Sequence, residues 1–125
     1  MTGARWLATV AFAVIATAAL SGCGSTPDPL PFVGQTADVR AVNIEFEPVE
    51  LTLPAGPSLR IVLDNQDSGV PHNVKVLAGD REIAKSPVVT GPATTEVRFG
   101  PLPPARYQFI CEIHPNMLGT LTVTP

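Results

Sequence analysis

Short runs in which apolar and polar residues alternate cover most of the chain from residue 37 onward, with Pro- and Gly-rich turns between them. Such a period of two predicts β-strands that bury one face. The first run is Val42-Asn-Ile44-Glu-Phe46, and Leu59-Arg-Ile61-Val-Leu63 is the most apolar. Residues 81–90 fit either a short edge strand or a helical turn. Seven to eight strands without a long helix predict an all-β fold, an antiparallel β-sandwich.

The first 22 residues have the layout of a targeting segment rather than of a folded element. Arg5 supplies a positive start, and Trp6–Leu20 is almost wholly apolar but short for a membrane span. The segment ends in Leu20-Ser-Gly-Cys23, which resembles a bacterial lipobox. The resemblance implies cleavage before Cys23 and attachment of diacylglycerol to its sulfur. An ordinary secretory signal with a chance Cys is the alternative.

The chain therefore divides into three expected parts. Prolines and small polar residues after Cys23 suit an extended tether. The expected parts are a lipoprotein signal peptide at 1–22, a lipidated Cys and Pro-rich tether at 23–36, and a domain at 37–125. This organisation predicts an extracytoplasmic, monomeric protein, lipid-anchored through Cys23 to the outer face of the bacterial cell membrane. A net charge of −3 without a basic run argues against a nucleic-acid partner.

Side chains that bind soft metals are few and fit one site. Apart from Met1 and Cys23, the only Cys, His and Met residues are His72, Cys111, His114 and Met117. Two imidazoles, one thiolate and one thioether are the ligand set of a blue-copper electron-transfer site. A lipidated Cys23 also leaves Cys111 without a disulfide partner, and metal ligation accounts for such a lone thiol. A buried, inert Cys and a Met that fills the core are the alternatives.

The period of two places these residues on the inner faces of their strands. His72 shares the parity of Val74, and Cys111 that of Phe109. Met117 shares the parity of Leu121. Each lies at a strand end, so the three side chains can converge at one end of the sandwich. His114 lies in the loop between the last two strands and can reach over the same end.

Other chemistries fit the residues less well. A structural zinc site needs four strong ligands, and only three are evident. A binuclear copper centre needs a second Cys in the loop, and a multicopper oxidase needs more His residues than two. No Gly-x-Ser-x-Gly motif or phosphate loop is present, and the one Cys–His pair belongs to the ligand loop. We therefore expect no enzymatic activity.

Three segments resemble the cupredoxins, small blue-copper proteins such as plastocyanin and amicyanin. Tyr107–Val123, which contains Cys-Glu-Ile-His-Pro-Asn-Met, is similar to their ligand loop, and its short spacing is most similar to that of amicyanin. Pro71-His-Asn-Val74 resembles their upstream ligand strand. Gly100-Pro-Leu-Pro-Pro-Ala-Arg-Tyr107 resembles the turn before their Cys strand. The resemblance covers roughly residues 40–125 and implies a Greek-key β-sandwich.

The resemblance also implies a role for each site residue. It makes His72, Cys111 and His114 the strong ligands of one type 1 copper ion, with Met117 as the weak axial ligand. A backbone carbonyl before His72 is the alternative axial donor. Asn73 would tie together the two loops that carry the ligands.

Two functions remain open for such a copper protein. The first is a membrane-tethered carrier of single electrons between extracytoplasmic redox partners, such as a cytochrome, an oxidase or a reductase. The second is a protein that binds, buffers or delivers copper. The scarcity of Met and His favours the carrier, because delivery proteins more often display several exposed ligands of these types. A sandwich that has lost its metal and serves as a scaffold is a third reading.

Overall fold

Eleven β-strands form the regular structure of residues 31–125, the part of the chain that the computed structural model describes. They are β1 Gln35–Val42, β2 Glu45–Glu47, β3 Glu50–Pro54, β4 Leu59–Asn65, β5 Pro71–His72, β6 Lys75–Ala78, β7 Arg81–Lys85, β8 Val89–Thr90, β9 Ala93–Phe99, β10 Ala105–Ile110 and β11 Leu118–Thr124. The predicted all-β class is confirmed. Strands β2, β5 and β8 have only two or three residues. The eight longer strands match the expected seven to eight. The expected signal peptide and Cys23 lie outside the described residues.

Two sheets enclose the core. One has the order β2-β1-β4-β9 and the other β3-β11-β10-β6-β7, while β5 pairs with β8 alone. The inward positions of the alternating runs are buried, as the period of two predicts. The fully buried large side chains are Val39, Phe46, Leu59, Ile61, Leu63, His72, Val74, Val76, Val97, Phe109, Met117 and Leu121. Among the described residues, no helix is long and apolar enough to span a membrane.

The sheets are mixed rather than antiparallel throughout. β1 runs parallel to β4, and β3 runs parallel to β11. The remaining strand pairs are antiparallel. A period of two determines which face of a strand is buried but not the direction of its neighbour, so the sequence pattern could not reveal the two parallel pairs.

The first predicted strand is two strands joined by a turn. β1 ends at Val42 and β2 begins at Glu45, so the prediction of one continuous strand through Val42, Ile44 and Phe46 is wrong. Asn43 and Ile44 have φ values of 54° and 62°, in the left-handed region that favours Gly. The turn leaves the Ile44 side chain 44% exposed rather than in the core.

The ambiguous segment 81–90 is extended. It contains β7, which forms an antiparallel hairpin with β6, and β8, which pairs with β5. In the β5–β8 pair, Val89 lies opposite His72. Residues 81–90 therefore include a strand that pairs with the strand of one candidate ligand, His72.

The chain joins the sandwich slightly before residue 37. β1 begins at Gln35. The Arg60 guanidinium carbon lies 4.4 Å from the centre of the Phe32 ring, and that of Arg98 lies 5.2 Å away. Two cation–π contacts of this kind contribute roughly 0.5–1 kcal/mol each at exposed sites. The last residues of the expected tether thus pack against the sheet.

The strand ends that carry the candidate ligands meet at one end of the sandwich. His72 ends β5, Cys111 follows β10, and Met117 precedes β11. Gly119 lies opposite Phe109 in the β10–β11 ladder, and a Cβ at Gly119 would occupy the space of the Phe109 ring. That ring packs on Phe46 with centroids 5.1 Å apart, a contact between the two sheets in the core.

Candidate metal centre

Three ligand atoms converge at this end of the sandwich. Cys111 Sγ lies 3.7 Å from His72 Nδ1 and 3.7 Å from His114 Nδ1. All three atoms lie within 4.8 Å of one another. His72 and Cys111 are 0% and 1% exposed, whereas His114 is half-buried. Within residues 31–125, this is the one such cluster of three possible His, Cys or carboxylate ligands.

The spacing and the donor types fit a single soft or borderline metal ion. Two donors that share one ion at bond lengths of about 2.0–2.3 Å lie roughly 3–4 Å apart. Both sulfur–nitrogen separations, at 3.7 Å, fall in this range. Two imidazole nitrogens and one thiolate in a buried pocket suit copper better than the hard ions that prefer oxygen.

Backbone hydrogen bonds close the loop that carries Cys111 and His114. The Cys111 N–H donates to the Met117 carbonyl oxygen at 3.1 Å, and the Met117 N–H donates to the His114 carbonyl oxygen at 2.9 Å. Pro115 restricts φ and has no N–H to donate to the Cys111 sulfur. The loop is therefore short and held at both ends.

Met117 follows the loop directly and is buried, with 1% of its surface exposed. It lines a surface groove of about 220 Å³ together with Phe46, Val49 and Leu118. The side chain is thus part of the core, and the Met117 backbone is hydrogen-bonded to Cys111 and His114.

Asn73 connects the two segments that carry the candidate ligands His72 and Cys111. Its Oδ1 accepts the N–H of Glu112 at 3.0 Å. Its Nδ2 donates to Glu112 Oε2 at 2.8 Å and to the Ser86 carbonyl oxygen at 3.4 Å. Because Asn73 follows His72 and Glu112 follows Cys111, one buried amide holds the two candidate ligand positions in register.

Charged residues surround Glu112 on the outer side of this connection. Lys85 Nζ lies 3.2 Å and Lys75 Nζ 3.5 Å from Glu112 Oε1. The hydrogen bond from Lys85, followed by that from Asn73, holds the pKa of the Glu112 carboxyl below its usual range, against a smaller opposing effect of burial. The bond to Glu82 raises the pKa of Lys75. Glu112 therefore stays ionised beside Cys111.

Asp67 is a site residue that the sequence did not reveal. Its Oδ2 lies 2.9 Å from His72 Nε2, on the side of the ring away from Cys111. Burial raises the pKa of Asp67, but hydrogen bonds from Ile44, His72 and Asn43 together outweigh burial and lower it below the usual value. Asp67 is one of several polar residues in the sequence segment 64–71, which includes the loop between β4 and β5, and nothing in that segment distinguishes it.

Comparison with known protein families gives one match. Residues 8–123 match the family model of the cupredoxin-like domain. No protein with a curated description matches the chain.

Comparison with solved structures gives blue-copper proteins. Auracyanin B is 27% identical, with a TM-score of 0.64 over 72% of this chain and 88% of its own. Auracyanin A, a "blue" copper protein from the green thermophilic photosynthetic bacterium Chloroflexus aurantiacus, is 23% identical, with a TM-score of 0.62 over 71% and 98%. A reduced Cu(I) form of an amicyanin mutant is 23% identical, with a TM-score of 0.56 over 70% and 81%.

Proposed function

The chain belongs to the cupredoxin-like family, and from that premise we propose that it carries single electrons between redox proteins outside the cytoplasm. Cupredoxins are typically copper proteins of electron transfer, and the homologues bind one copper ion. In the proposed assignment His72, Cys111 and His114 are the strong ligands, and Met117 supplies the weak axial thioether. The protein has no catalytic activity of its own in this proposal.

One observation carries the proposal. The sulfur of the free, buried Cys111 lies at the same distance, 3.7 Å, from one nitrogen of each His in the chain. A trigonal His2Cys set with a weak axial thioether suits both Cu(I) and Cu(II), so bound copper would supply a centre that gains and loses one electron.

The protein contributes rigidity and exclusion of water. The Asn73 amide holds the His72 and Cys111 segments together, and the two backbone hydrogen bonds close the loop 111–117. Because His72 and Cys111 are buried, little water surrounds them. Ligands held in this way need to move little when an electron arrives or leaves.

The burial of the ligands also favours a carrier over a delivery protein. A protein that transfers copper to an acceptor must present its ligands to that acceptor. Here only His114 of the three clustered residues is even half-exposed.

The test is whether the copper-loaded protein cycles between its two oxidation states with its copper retained. Ready loss of Cu(I) to an acceptor would support delivery instead.

We propose that partners dock on apolar surface around His114. Pro115 and Leu118 are exposed there, and Val70 and Pro71 are half-buried. Leu118 is 55% exposed although it begins a strand. An apolar contact of this kind suits brief docking with a cytochrome, an oxidase or a reductase.

We expect Leu118→Asp to slow electron exchange with a redox partner by about tenfold, which corresponds to roughly 1.4 kcal/mol. The ligands are unchanged, so the visible spectrum should stay the same. Stopped-flow mixing with a soluble cytochrome measures the rate. Val33→Asp is the matched control, because Val33 is 85% exposed and precedes the start of β1. The turn at Asn43, which bonds Asp67, lies at the other end of that strand. Equal rates for the two variants would contradict docking at Leu118.

The proposed location is the outer face of the bacterial cell membrane, with the domain anchored through a lipid on Cys23. Two acyl chains suffice for stable anchoring, since each buried methylene contributes roughly 0.8 kcal/mol.

We expect Cys23→Ala to move the protein from the membrane to the soluble fraction of fractionated cells. Cys111→Ser, at the other Cys, should leave it on the membrane. Retention of the Cys23→Ala protein on membranes would count against the anchor.

A further inference from the structure

The Asp67 carboxylate accepts three hydrogen bonds from two separate parts of the chain. Oδ2 lies 2.9 Å from His72 Nε2 and accepts the Ile44 N–H at 2.8 Å. Oδ1 accepts the Asn43 N–H at 2.6 Å. The carboxylate therefore joins the β1–β2 turn to the ring of a candidate ligand.

This contact determines which nitrogen of His72 carries the proton. The ring is fully buried, so water does not compete for Nε2. A carboxylate 2.9 Å from Nε2 requires a proton on that nitrogen. Nδ1, which faces Cys111 Sγ, is then left with its lone pair free for a metal.

Asp67 is itself held in place. Its N–H donates to Asn65 Oδ1 at 3.0 Å. The Asn65 Nδ2 donates to the carbonyl oxygens of Val70 and Val89, at 2.8 and 3.0 Å. Asn65 is fully buried, so these bonds fix the loop that carries Asp67 against the β5–β8 pair.

The backbone of the β1–β2 turn also helps to hold Asp67 in place. Asn43 and Ile44 both have positive φ, which is unusual for a β-branched residue such as Ile44. In this conformation both of their N–H groups point at Asp67. Backbone of this kind persists when its surroundings hold it, and it is concentrated at functional sites.

We propose that Asp67 is a positioning residue for His72: it orients the ring with Nδ1 toward the metal, and its negative charge lowers the reduction potential of the copper centre. The second part, the lowered reduction potential, rests on the proposed function. A carboxylate hydrogen-bonded to a ligand imidazole makes that imidazole more basic. A more basic ligand and a nearby negative charge favour Cu(II) over Cu(I), and the potential falls.

The test compares Asp67→Asn with Asp64→Asn in the full-length protein. Asn at 67 keeps the size of the side chain but removes the negative charge. One carboxylate oxygen becomes an NH2 group, which is a donor and cannot accept a bond from the N–H groups that now bind there. Asp64 lies three residues away, and its carboxylate accepts a bond from Gln66. It therefore controls for loss of one negative charge close to the site without loss of the bond to His72.

We expect Asp67→Asn to weaken Cu(II) binding about tenfold relative to Cu(I), the lower end of the effect of such partners on metal affinity. A tenfold change in a one-electron equilibrium raises the potential by about 59 mV. Asp64→Asn should change it much less. Equal potentials for the two variants, with a blue wild type, would overturn the tuning role of Asp67. A wild type that takes up copper without a blue colour would instead contradict the proposed function.

The orienting role has a separate readout that needs no variant and no metal. Proton–nitrogen NMR of the copper-free wild type should show a proton on His72 Nε2 that exchanges slowly with water. In Asp67→Asn we expect that proton to exchange faster and a population protonated on Nδ1 to appear. A wild-type His72 with Nε2 unprotonated would overturn the orienting role, whatever the colour of the copper-loaded protein.

Discussion

We expect Cys111→Ser to remove the intense visible absorption of the copper-loaded protein completely. Such absorption requires a thiolate bound to Cu(II), and Cys111 is the one Cys in the part of the chain that the structure describes. Serine has nearly the same volume, so the pocket and the two imidazoles remain. The variant should bind Cu(II) more weakly and be pale. Absorption spectra with one equivalent of Cu(II) measure the effect.

Asn116→Ala is the matched control for this variant. Asn116 lies in the same loop between Cys111 and Met117, but it is exposed. The control should keep the full wild-type band. A Cys111→Ser protein as strongly coloured as the control would show that the thiol does not bind the metal.

We expect Asn73→Ala to lower the free energy of unfolding of the copper-free protein by about 2–4 kcal/mol. The change leaves the Glu112 N–H without its acceptor and removes a buried donor to the Ser86 carbonyl oxygen. It also leaves a cavity where a fully buried side chain stood. Against a total stability of about 5–15 kcal/mol for a domain, this loss is large.

Urea unfolding of the copper-free protein measures this loss without any contribution from the metal. The exposed Asn116→Ala change should cost no more than about 0.5 kcal/mol, as surface substitutions usually do. Equal stabilities for Asn73→Ala and Asn116→Ala would mean that the Asn73 amide does not hold the two ligand segments together. Copper binding by Asn73→Ala should also be weaker, because His72 and Cys111 lose their shared support.

Local patterns were sufficient to predict the sandwich and the positions of the strongest candidates. Alternation along β4 places Leu59, Ile61 and Leu63 in the core, and the structure buries all three. The same parity predicted that His72 and Cys111 face inward, and both are buried. These inferences succeed because the face to which a side chain points depends on its own strand alone.

Features that depend on distant contacts were not predictable in this way. The turn at Asn43 and Ile44 interrupts an apparently regular alternation because a carboxylate more than 20 residues away binds both N–H groups. Asp67 lies in a polar loop, and its role becomes visible only when the loop lies beside His72. The contact of Phe32 with two arginines likewise joins a Pro-rich segment to strands far along the chain.

The central claim is that this protein carries one electron on one retained copper ion. The most direct measurement is a stepwise reductive titration of the copper-loaded wild type, followed by visible absorption, with the copper content determined after a complete cycle. We predict an intense band that is bleached fully by one electron per copper and restored by reoxidation. We also predict that the copper content stays at one per chain in the presence of a Cu(I) chelator. A colourless protein, or one that loses its copper to the chelator on reduction, would contradict the claim.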